Sequence, residues 1–186
     1  MEALRLIRST RHALTQARSV PEVLVEAWQA CALTEAVGGH LALHGEEALR
    51  AGAQLLAEAG GHAGGCLDRP PDDWTGFGRA ARLTELAEPG AVLRELRGLI
   101  HEVAEALIIV ACGADTEALY WQCIDAVDAA AECKDAVTEL LRTLHEEPDR
   151  DRDPDPDLVP DPDPDPAEPP ERAAPVTVTL QPPCPG

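Results

Sequence analysis

The sequence changes character once, at Glu147/Pro148, and that break limits what the chain can fold into. Before it the chain is rich in Ala and Leu, repeats apolar residues at heptad spacing and holds four prolines (21, 70, 71 and 89). After it come 13 of the 17 prolines within 39 residues, six of them in the Asp-Pro run 153–166. A stretch so poor in apolar residues and so rich in Pro and acid cannot bury a core of its own. The organisation expected is a helical bundle domain over 1–147 and a disordered Asp/Pro-rich tail over 148–186. In fold class the chain reads as all-α, an antiparallel bundle of four main helices plus short helices ahead of that tail.

Charge excludes several partners. The formal net charge is −19. The tail holds ten acids and three arginines, a formal −7, which leaves −12 on the body. Nucleic-acid binding through phosphates needs clustered Lys and Arg, and adhesion to anionic membranes needs the same. Neither partner is expected, whereas a basic protein partner is compatible. Met1–Thr10 carries three charges and lacks the apolar stretch of an export signal. The strongest apolar run, Ala106–Cys112, is far below the roughly 20 residues of a membrane span. Six cysteines stand apart at 31, 66, 112, 123, 133 and 184 with no CxxC pair, which suits reduced thiols in the cytoplasm.

Periodicity places the helices. Leu119, Cys123, Ala126, Ala130, Cys133, Val137, Leu140 and Leu144 step by threes and fours, so one seam of a long last helix faces its neighbours. Asp115 is expected to cap its start and Pro148 to end it. Leu93, Leu96, Ile100, Val103, Leu107 and Val110 mark the preceding helix, with Pro89 in its first turn and Gly113 at its exit. Its apolar stretch Leu107–Val110 predicts a C-terminal third enclosed on all sides, and the short connection predicts an antiparallel hairpin. Further back, Ser19 and Glu22 form a capping box opening a helix that runs to His44-Gly45. Leu49, Ala53, Leu56, Gly60, Ala63 and Leu67 trace another, whose small residues admit a close neighbour. A short helix is expected over 2–17, a loop over 68–78 and a short lead-in helix over 79–88.

The segment Leu119-Tyr120-Trp121-Gln122-Cys123-Ile124-Asp125-Ala126-Val127-Asp128-Ala129-Ala130 resembles a small actinobacterial family of unknown function, as do residues 2–7 and 26–30. The resemblance covers most of residues 1–145 and not the tail. It implies a soluble bacterial helical domain, and no activity or site residues to carry over.

Catalytic motifs fail on inspection. His101-Glu102-Val103-Ala104-Glu105 has Glu where a zinc-protease helix needs its second His. None of the six histidines follows a Glu at the spacing of a di-iron bundle. Gly76–Ala81 matches a dinucleotide fingerprint in letters alone, because the residues before it read as loop, not strand. Two pairs have the one-turn spacing of metal ligands, His40/His44 and His62/Cys66. The most pointed surface feature is on the last helix, where Trp121, Asp125, Asp128, Glu132, Asp135 and Glu139 share one face. An indole amid acids can anchor a protein partner or a homodimer, unless the N-terminal helix or the 68–78 loop covers it. Arg5, Arg8, Arg11 and His12 make that N-terminal helix a candidate to neutralise the acids.

The reading is therefore a non-enzymatic interaction or scaffold module working through Trp121, Asp125, Asp128 and Glu132, with no cofactor. The alternative is a ligand- or metal-binding bundle using His40, His44, His62 and Cys66.

Overall fold

In the computed structural model of the chain, residues 2–68 and 78–150 are described, with side chains through Glu146. Five α-helices follow in order: α1 (Ala3–Gln16), α2 (Val20–His44), α3 (Glu47–Cys66), α4 (Pro89–Cys112) and α5 (Glu117–Arg150). The described residues include no strand, only an isolated bridge between Glu2 and Glu85. No described helix is long and apolar enough to cross a membrane. The four long helices form the bundle and α1 packs over α2 and α4, as the all-α antiparallel expectation has it.

Each adjacent pair has a sequence reason. The α2–α3 contact is backbone on backbone. A Cβ on Gly38 would stand 2.5 Å from the Ala57 amide nitrogen and 2.8 Å from the Ala53 carbonyl, and one on Gly60 2.5 Å from the Glu35 nitrogen. Helices approach this closely only where a side chain is missing. The neighbouring Gly39 faces open space. Between α3 and α5 the spacer is a side chain, because Gly52 makes room for Leu140. Helix α4 contributes Leu93, Leu96, Leu99 and Leu107, all fully buried. The seams anticipated for α3, α4 and α5 are inward, and the Ser19/Glu22 capping box closes with Glu22 accepting from the backbone N–H groups of Arg18 and Ser19.

Four expectations change. The Leu119 N–H is received by the Thr116 hydroxyl at 3.2 Å, so Thr116 and not Asp115 caps α5. Helix α5 runs to Arg150, two residues past Pro148. The remainder of the expected tail lies outside the described residues.

The third change is the lead-in to α4. Only Arg79–Arg82 is helical, as one 3₁₀ turn, and residues 83–88 are not. The reason is reach. Arg79 is tied to the N-terminal half of α2, its amide donating to Gln29 (2.9 Å) and its guanidinium pairing with Glu26. Glu85 meets Ala3, whose N–H it receives at 3.1 Å, and α4 must start beside the C-terminal end of α5, where Gly90 approaches Leu144. Extended chain covers more than twice the distance per residue of helix. The strap turns into α4 at Glu88, which holds a left-handed φ of 50°.

Last, the C-terminal third of α4 is not enclosed. Ile109 is 73% exposed and Ile108 is exposed too. Helix α1 packs on α4, where Arg11 meets Glu95 and Glu102, and it leaves Ile108 and Ile109 uncovered.

Candidate interaction surface

The α5 seam fixes the orientation of the opposite face. With Cys123, Ala126, Ala130, Cys133, Val137 and Leu140 buried, the 3.6-residue period turns Trp121, Asp125, Asp128, Glu132, Asp135 and Glu139 outward, and all six are exposed. Trp121 is 53% exposed and Tyr120 beside it 41%. Their rings meet edge to face with centroids 5.2 Å apart, and the indole N–H donates to Glu117 at 3.3 Å. The indole is thus held by its neighbours while half of it meets solvent. Cover by the N-terminal helix does not occur, since α1 packs on α2, α4 and the 3₁₀ turn. Residues 69–77 of the other suggested cover lie outside the described residues.

Nor does α1 neutralise the acids. Arg11 is spent on α4, 2.8 Å from a Glu95 carboxylate oxygen and 3.0 Å from one of Glu102. The bases that do reach the α5 acids come from α3 and from α5 itself. His62 Nδ1 lies 3.3 Å from Glu132 Oε2. Arg142 pairs with Glu139 and Glu146, and its hydrogen bond holds the Glu139 carboxyl below the usual carboxylate value. Asp125, Asp128 and Asp135 have no ion-pair partner among the described residues.

His62 and Glu132, which the sequence assigns to separate readings, meet where α3 and α5 pack side by side. Cys66 is half-buried near them, and its thiol is raised first by burial and then by Asp125 and Glu132. No group of three or more His, Cys, Asp or Glu side chains among the described residues is arranged to hold an ion. His40 and His44 stack on each other with centroids 4.8 Å apart, and burial, then the charge of His44, lowers the His40 pKa. Antiparallel packing keeps this pair at the opposite end of α2 and α3 from His62 and Cys66, so the two candidate pairs never share a ligand sphere. His101 and Glu105 lie together on the exposed face of α4, 3.6 Å apart.

One interior void among the described residues is too small for a ligand. It measures about 10 Å³ and lies among Cys31, Thr34, Ala63, Ile100, Val103 and Cys133. That is one water's worth at most, against several hundred Å³ for a small-molecule site. Thr34 has satisfied its hydroxyl on the Ala30 carbonyl at 2.9 Å. Burial pushes the thiols of Cys31 and Cys133 up to about 12. Thiols held protonated to that extent make poor nucleophiles.

Outside, a shallow groove of about 570 Å³ runs between α3 and α5, lined by Leu55, Glu58, Ala59, Asp135 and Ala136 among others. Leu55 is 61% exposed. The sequence gives no warning of it, because Leu55 sits one position ahead of the seam residue Leu56 and reads as part of the same apolar run.

Residues 1–143 match the model of a family of unknown function (DUF6099). The chain belongs to this family. No curated protein and no solved structure matches it. The match takes in Trp121, the acids through Glu139 and the α3 side of the groove.

Proposed function

We propose that the protein is a non-enzymatic interaction module of the cytoplasm that engages a protein partner through Trp121 and the acidic face of α5. One observation carries the reading: the Trp121–Tyr120 pair is exposed at the head of a face whose Asp125, Asp128 and Asp135 have no counter-charge among the described residues. A large aromatic kept at the surface costs hydration free energy that burial against a partner would recover. The surrounding acids favour a basic partner and speed its encounter. The acidic segment after α5 serves as a soluble spacer or as a lure for a basic partner.

Affinity capture tests this reading with full-length wild type, Trp121→Ala, and a chain ending at Arg150. A protein captured by wild type and lost with Trp121→Ala is the expected result. Equal capture by wild type and Trp121→Ala would remove the basis for assigning the contact to this face.

A further inference from the structure

We infer that the α3–α5 groove seats a basic amphipathic helix of the partner, an inference that rests on the interaction reading above. The groove has an apolar floor and acidic walls. Leu55, Ala59 and Ala136 supply the floor, Glu58, Glu132 and Asp135 the walls, and Glu139, paired with Arg142, closes one end. No Lys or Arg lines it among the described residues, and its one histidine, His62, is already paired with Glu132. Leu55 leaves most of its side chain in water, although Leu56 beside it and Ala53 two residues before it are buried. The α5 edge continues upward through Asp128 and Asp125 to Trp121 on the same face. From Trp121 to Glu139 the helix rises about 27 Å, the length of a partner helix of about 18 residues. Such a helix presents Leu-type residues to the floor and Lys or Arg to both walls, and its end meets the indole. An acidic helix would be repelled by the acids Asp125, Asp128 and Asp135, unpaired among the described residues.

The test uses full-length protein and three fluorescein-labelled 18-residue peptides, read by anisotropy near physiological ionic strength. One is a Leu/Lys amphipathic helix, the second replaces its Lys with Glu, and the third replaces its Leu with Ser. The Leu/Lys helix is expected to bind at least about tenfold more tightly than either other peptide, and Leu55→Lys to weaken it about tenfold or more. Leu55 is exposed, so the fold tolerates this change, and circular dichroism checks it. Equal binding of the Leu/Lys and Ser/Lys peptides would show attraction by charge alone and overturn the groove. If Trp121→Ala weakens binding while Leu55→Lys does not, the groove falls and the aromatic contact stands. If neither variant changes binding, both fall. A concentration-dependent dimer that Leu55→Lys dissociates would assign the groove to a second copy and overturn the inference.

Discussion

The α2–α3 and α4–α5 pairs are both antiparallel neighbours, yet opposite kinds of residue hold them. Gly38 and Gly60 let the α2 and α3 backbones touch, so this interface is set by atoms that are missing. Helix α4 instead fills its side of the bundle with Leu93, Leu96, Ile100, Val103 and Leu107 against the Val137 and Leu140 seam of α5. The first pair is damaged by adding volume and the second by removing it. They differ in surface as well. The α4–α5 pair exposes Ile108, Ile109, Tyr120 and Trp121 together near its connection, whereas α2 and α3 expose Val20, Leu43 and Leu55 at separate places.

The largest effect expected is on the side-chain-filled pair. Leu96→Ala, at a fully buried position, should cost about 2–5 kcal/mol in denaturant unfolding. At the glycine contact, Gly38→Ala should cost about 1–3 kcal/mol despite the better helix propensity of Ala, because its Cβ meets backbone that cannot rotate away. The adjacent Gly39→Ala sharpens the contrast. With nothing near its Cβ, it should stabilise by about 0.5–1 kcal/mol. Equal signs for these neighbours would refute the close-contact account of α2–α3.

A pH effect separates the interior from the surface. Unfolded thiols ionise near 9.0, whereas Cys31 and Cys133 hold their protons to about 12 in the fold. The folded state therefore binds more protons above pH 9. Stability is complete below that value and falls as pH rises toward 12, by on the order of 1 kcal/mol per thiol at pH 10. Urea titrations of wild type and Cys31→Ala at pH 7 and pH 10 read it, and the variant should lose less between the two. Helix α5 offers a comparable but purely local effect. Thr116→Ala should cost about 1 kcal/mol and Asp115→Ala much less, since only Thr116 receives the Leu119 amide.

Periodicity made most of the fold legible, because it records which face of a helix is inward. It named the buried positions of α3, α4 and α5, and the Ser19/Glu22 pair gave the start of α2. It does not record which neighbour covers a face. Leu107–Val110 therefore looked enclosed, although α1 leaves Ile109 in solvent, and Arg11 looked available to α5 although Glu95 and Glu102 of α4 claim it. The lead-in helix failed for a related reason. Residues 79–88 have no propensity against helix strong enough to show that the chain must travel from α2 to the far end of the bundle there. At the candidate surface, the outward face of α5 was visible from spacing. Contact between His62 and Glu132, and the groove beside Leu55, depend on the register of α3 against α5, which no local pattern encodes.

The smallest effect on stability belongs to Trp121, the residue on which the proposed interaction depends. Trp121→Ala should change unfolding free energy by no more than about 0.5 kcal/mol, as an exposed side chain should. The most direct test places a photo-cross-linking benzoylphenylalanine at position 121 of the full-length chain in living cells of its host. The same group at Leu43, exposed in the last turn of α2, serves as control. A discrete protein adduct formed at 121 and missing at 43 is the predicted result, and no adduct, or the same adducts at both positions, would contradict the assignment of this face to a partner.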